Sequence, residues 1–164
     1  MPEEARAWAT AAALARAFRD GRYDATVTSR SMVPLLRPGD VVVLTAGGRR
    51  RWGDVVLAVV GGRAVTHRLV GRRAGAWLLK GDRGDRLEGP VPAALVLGRA
   101  VAVVKANGRR VALTGLRGRA AAAVLAAVSR AETLVAAASG GTAPPWARAL
   151  SYAAMRAACA AMGT

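Results

Sequence analysis

The stretch Ser29-Arg30-Ser31-Met32-Val33-Pro34-Leu35-Leu36-Arg37-Pro38-Gly39-Asp40 runs directly into the apolar segment Val41-Val42-Val43-Leu44. Pro34 and Pro38 each fix a backbone torsion, so Ser31 is expected on a rigid turn beside a strand. Gly39-Asp40 then marks the strand entrance, where a carboxylate can accept turn N–H groups. A serine held this way has the placement a nucleophile needs. Taken alone, the same residues fit a Ser/Pro-rich loop equally well.

Outward from this stretch the pattern continues. Trp52-Gly53-Asp54-Val55-Val56 repeats the Gly-Asp entrance, and Asp54, like Asp40, reads as a structural turn acid. Short Val-rich runs at 41–44, 55–60, 64–70, 76–79 and 95–104 are separated by glycine-bearing turns. Gly61-Gly62 and Asn107-Gly108 are hairpin signals. Residues 25–113 therefore read as β. Residues 3–20 read as a helix, with Trp8, Ala11, Ala15 and Phe18 at 3–4 spacing and Gly21 as its stop. Residues 118–138 and 145–162 read as two Ala-rich helices, divided by Gly140-Gly141 and Pro144-Pro145. In the second, Trp146, Leu150, Ala154, Ala157 and Ala161 form the apolar face, expected to pack on the β domain. The division is 1–23, an N-terminal helix; 24–114, a β domain; and 115–164, a helical hairpin.

Composition excludes several classes. The chain has 164 residues and is 53% hydrophobic, which excludes general disorder. The single Cys159 and single His67 exclude a disulfide framework and a multi-His or Cys-rich metal site. The net charge is +15, with 25 Lys and Arg against 10 Asp and Glu. The arginine excess reads mostly as compositional background, and the acids are more informative. Residues 25–118 carry +12 and retain only Asp40, Asp54, Asp82, Asp85 and Glu88. A nucleic-acid binder is disfavoured, because no helix-turn-helix signal, aromatic platform or RNA motif accompanies the charge. The acidic start (Glu3, Glu4) does not resemble a signal peptide. The most apolar segment, 120–138, carries Arg130 and Glu132, so no spanning helix is expected and a cytoplasmic location follows. Peripheral contact with a membrane, through Trp146 and flanking arginines, stays compatible with this reading.

Three further pieces change the weight of the opening stretch. Val65-Thr66-His67-Arg68-Leu69-Val70 puts the one histidine inside a strand, and Leu79-Lys80-Gly81-Asp82 ends another strand with an acid. Glu88 follows six residues after Asp82. The ordered set Ser-x-Ser-Met-x-Pro-x-x-x-x-Gly-Asp, His-Arg, Lys-Gly-Asp resembles the signal peptidase I family. That family belongs to a wider group of Ser-Lys and Ser-His peptidases that includes self-cleaving repressors. The likeness covers roughly residues 24–105, and the histidine in the base position resembles the archaeal and endoplasmic-reticulum branch.

The resemblance implies a mainly β fold, a coiled β-sheet barrel, here with an N-terminal helix and two C-terminal Ala-rich helices. It implies a serine endopeptidase that cleaves a leader or signal-like peptide. Ser31 matches the nucleophile, Ser29 the serine that helps stabilise the oxyanion, and His67 the base. Asp82 matches the acid of the Lys-Gly-Asp motif, Glu88 stands at the second acid position, and Asp85 is an alternative acid. Lys80 reads as a strand-end residue with a structural or electrostatic role. No cofactor or metal is implied, and the partner is a peptide or protein with small residues before the cleaved bond. Arg30 departs from the family in replacing the glycine usual between the two serines. Glu88 departs in being one methylene longer than the usual aspartate. The alternative is a non-catalytic relative that binds peptide or nucleic acid.

Overall fold

The computed structural model describes residues 2–18, 20–84 and 86–164. Asp85 lies outside the described residues. An N-terminal helix, α1 (Glu3–Ala17), is followed by β1 (Arg22–Thr26), β2 (Val41–Thr45), β3 (Val55–Val60), β4 (Arg63–Arg73), β5 (Ala76–Lys80), β6 (Glu88–Val91), β7 (Val96–Val104) and β8 (Arg110–Ala112). Two helices complete the chain, α2 (Leu116–Ala138) and α3 (Pro145–Met162). Five strands lie where the Val-rich runs stand in the sequence. β1, β6 and β8 have no such run: β1 is Arg-Tyr-Asp-Ala-Thr, β6 contains Gly89 and Pro90, and β8 is the short Arg-Val-Ala after the Asn107-Gly108 turn.

The strands form a curled antiparallel sheet, a half-barrel in the order β1-β2-β7-β3-β4-β5-β6, with β8 paired to β7. The β3–β4 turn is Gly61-Gly62, with φ of +57° and +74°, a region that glycine enters without steric cost. Asn107-Gly108 makes the β7–β8 turn, closed by Lys105 N–H donating to the Arg109 carbonyl at 2.8 Å. Asp40 and Asp54 cap their turns as the sequence suggests: each accepts an amide hydrogen from three residues back, Arg37 at 2.9 Å and Arg51 at 2.7 Å.

Apolar clusters lie on both sides of the sheet. One joins Leu36, Val42, Leu44 and Val103 to Leu125 of α2 and Met155 of α3. The other joins Val56, Leu69, Trp77, Leu79 and Val96 to Ala7 and Ala11 of α1. The expected packing face of α3 is corrected. The helix buries Ala147, Met155, Ala158 and Cys159, and leaves Trp146 and Leu150 63% and 65% exposed. The cause is core shape: the seam beside Leu36 and Leu125 takes the flexible Met155 and the small Ala158 and Cys159, and Trp146 lies off it. α2 is long and apolar enough by length and composition to cross a membrane, with a mean hydropathy of 1.5 over its most apolar stretch, of which 33% is buried within the protein.

Candidate active site

The turn carrying Ser31 is fixed from below. Met32, Leu35 and Leu36 are each at most 2% exposed and enter the core, which leaves Ser31 partly exposed at its rim. Leu36 N–H donates to the Met32 carbonyl at 2.9 Å, and Lys105 Nζ donates to the Leu35 carbonyl at 2.7 Å. The Ser31 carbonyl accepts the Arg83 amide at 2.8 Å, which ties the turn to the loop after β5.

Along β4, successive side chains take opposite faces. His67 faces the Ser31 turn, and Arg68 faces the interior. His67 Nε2 lies 3.1 Å from Ser31 Oγ. Its other nitrogen, Nδ1, lies 2.5 Å from Glu88 Oε2. The register explains this meeting: Glu88 of β6 pairs with Leu79 of β5, and Leu79 with Leu69 of β4. An ionised carboxylate only accepts hydrogen bonds. With an ionised Glu88 and a neutral ring, the contact places the proton on Nδ1 and leaves the Nε2 lone pair to accept the Ser31 hydroxyl hydrogen. Ser29 Oγ stands 3.2 Å from Ser31 Oγ. With the Ser31 hydrogen turned to His67, Ser29 is the donor of that pair.

Asp82 does not reach His67. Its two oxygens accept from Arg68 Nε at 2.7 Å and Arg68 Nη2 at 2.6 Å, and both side chains are at most 1% exposed. Arg68 Nη1 also donates to the Gly53 carbonyl at 2.8 Å. The expectation that Asp82 orients His67 therefore gives way to Glu88. The long arm of Glu88, read as a departure in the sequence, spans from the β6 edge to the ring. Asp85, the other alternative, lies outside the described residues.

Lys80 also turns inward. It is fully buried, and Nζ donates to Glu132 Oε2 of α2 at 2.9 Å. Between Lys80 and Asp82, Gly81 lies hard against the site: a Cβ there would come 2.8 Å from the Ser31 carbonyl and 3.2 Å from His67 Nε2. The Lys-Gly-Asp segment thus anchors on both sides while its glycine admits the Ser31–His67 pair. Three roles escape a reading of the motifs alone: Arg68 as the partner of Asp82, Gly81 as a close approach, and Glu132 as the partner of Lys80. Glu132 carried a signal, being the one acid within 119–164.

The Ser31–His67–Glu88 chain opens on a cleft of about 460 Å³. Residues 25–29 line one wall and residues 63–67 the other. β1 is the first strand of the sheet, and β4 pairs with β5 only from Arg68 onward, so the two walls present unpaired strand edges. Tyr23, Leu57, Val60 and Val65 give the floor an apolar character. Among the described residues, no group of three or more His, Cys, Asp or Glu side chains could hold a metal ion. Cys159 is buried, and burial pushes its thiol above the usual range against the opposing hydrogen bond from Thr164. No family model matches the chain, and no curated protein or solved structure matches it.

Proposed function

We propose that this chain is a serine endopeptidase of the signal peptidase I kind, built on that family's coiled-sheet fold and working through Ser31, His67 and Glu88. The observation that carries the reading is the hydrogen-bonded chain from Ser31 Oγ through both nitrogens of His67 to Glu88, at the mouth of a cleft. Serine needs a base within hydrogen-bond reach to be an effective nucleophile. Histidine supplies it near neutral pH, and a carboxylate on the far nitrogen holds the tautomer and stabilises imidazolium.

In the proposed reaction Ser31 Oγ bonds to the substrate carbonyl carbon while His67 Nε2 takes the hydroxyl proton. The oxyanion is held by the Ser31 amide, assisted by the Ser29 hydroxyl. Collapse breaks the C–N bond, and His67 returns the proton to the departing amine. Water then attacks the acyl-serine, again losing a proton to His67, and releases the carboxylate with Ser31 restored. The substrate is an extended peptide that adds as a strand between the open edges of β1 and β4. Small residues before the cleaved bond are the preference that comes with this assignment.

The test is labelling by a serine-reactive fluorophosphonate together with cleavage of a peptide library. Wild type labels and cleaves, and Ser31→Ala and His67→Ala do neither while keeping the wild-type fold. Full activity in either variant overturns the proposal. Absence of labelling in the wild type favours a peptide-binding relative.

A further inference from the structure

α3 presents to solvent the Trp146–Leu150 side that the sequence assigns to packing. Trp146 and Leu150 begin an outward row on α3 that continues through Ala153 and Ala157, all exposed. α2 also has an outward row. It buries Ala121, Leu125, Ser129, Glu132 and Ala136, while Leu116, Ala120, Ala123, Ala127, Ala131 and Leu134 follow each other at 3–4 spacing on its opposite face. Leu116 is 92% exposed and Leu134 60%. Of the eight large apolar side chains left exposed among the described residues, six belong to these two helices. The feature is regional.

Charge says what covers it. The hairpin carries five arginines and one acid, Glu132. That acid is turned inward onto Lys80, so the outer surface offers apolar side chains and cations, with exposed Arg119 beside the α2 row and exposed Arg130 at its margin, its guanidinium reaching over Gly71 of β4. A second copy of the chain would bring the same cations, on a molecule of charge +15, to this face. An anionic lipid surface complements both features. The orientation follows from the buried side of α2. Lys80–Glu132 fastens the helix to β5, which turns the buried side of α2 to the sheet and its outer row away from it.

We propose that the α2–α3 hairpin is a docking surface for anionic membranes, held flat against the lipid by its outward apolar rows and arginines. The proposal is independent of the peptidase assignment.

The test is sedimentation of the full chain with phosphatidylcholine vesicles, with and without phosphatidylglycerol, at low and high salt. Wild type is expected to partition onto the phosphatidylglycerol vesicles and to be released by salt. Trp146→Ser with Leu150→Ser, and separately Leu116→Ser with Leu134→Ser, should each lower partitioning about tenfold or more. These side chains are exposed, so the variants should keep the wild-type melting temperature, which is measured alongside. Arg119→Gln with Arg130→Gln should weaken the response to phosphatidylglycerol. Equal partitioning of wild type and the serine variants overturns the proposal, as does failure of wild type to bind either vesicle. A dimer in sedimentation equilibrium that the serine variants abolish, with no vesicle binding, also overturns it and assigns the face to a second copy.

Discussion

Glu88 Oε2 stands 2.5 Å from His67 Nδ1, on the side of the ring opposite Ser31, and its side chain keeps 30% of its exposure. The carboxylate is therefore near enough to set the tautomer, yet wet enough that folding does not depend on it. Glu88→Gln keeps the shape but can offer its NH2 to Nδ1, which favours the wrong tautomer. The expected result is a fall in kcat/KM of about 10²- to 10⁴-fold, with stability within about 0.5 kcal/mol of wild type. Glu88→Asp draws the carboxylate back by one methylene and should lose activity in the same direction. Wild-type cleavage rates in Glu88→Gln would remove Glu88 from the mechanism.

Asp82 should behave in the opposite way. It neutralises Arg68 where both side chains are at most 1% exposed. Asp82→Asn leaves a guanidinium buried without its counter-charge, which costs about 3–5 kcal/mol. Urea unfolding should show this loss as a lower midpoint with an unchanged slope. Fluorophosphonate labelling of the fraction that remains folded should continue, because His67 keeps Glu88. If Asp82→Asn instead abolished labelling at full stability, Asp82 would be the orienting acid.

The contrast between these two acids marks how far the sequence could be read. Ser31 and His67 could be paired because their neighbours are distinctive and because His67 is the one histidine. The choice among Asp82, Asp85 and Glu88 could not be made, since it depends on which face of a strand each carboxylate takes and on the β5–β6 register. Strands 41–45, 55–60 and 96–104 were legible because their apolar side chains are buried. β1 was not, because an edge strand that packs only Tyr23 and Ala25 of one face against the core needs no apolar run; its residues alternate between exposed and half-buried. The α3 face was misassigned for a different reason. On an Ala-rich helix several faces are nearly equal in apolarity, and the fit of Met155 and Cys159 to the core decides.

Lys80 and Glu132 join the sheet to α2 across 52 positions of sequence, through a lysine with no exposed surface. Glu132→Gln strands the ammonium in the interior, and a loss of about 3–5 kcal/mol is expected in urea unfolding. Replacing both partners by apolar residues of similar volume, Lys80→Met with Glu132→Leu, removes the two desolvation costs together. That double variant should be neutral or more stable than wild type by about 1–4 kcal/mol. A double-mutant cycle that adds the single variants Lys80→Met and Glu132→Leu isolates the pair. Additive losses would show that Lys80 and Glu132 do not depend on each other.

Asp40 gives the fold an acid-sensitive joint beneath the Ser31 turn. Burial pushes its carboxyl upward. The Lys105 ammonium and the amides of Arg37 and Ala106 outweigh that burial and hold it below its ordinary value of 3.8. A group whose pKa is lower in the folded state binds its proton more readily in the unfolded state. Its stabilising contribution is therefore complete above the ordinary value and fades as pH falls through the lower, folded value. Asp40→Asn should cost about 1–3 kcal/mol at neutral pH, since it weakens a charge-assisted contact with Lys105. The gap between wild type and variant should stay constant down to about pH 5 and narrow in more acidic solution. Urea unfolding of both proteins across this range measures it. A gap that persists unchanged to the lowest pH would assign the Asp40 contribution to packing and turn geometry, independent of its charge.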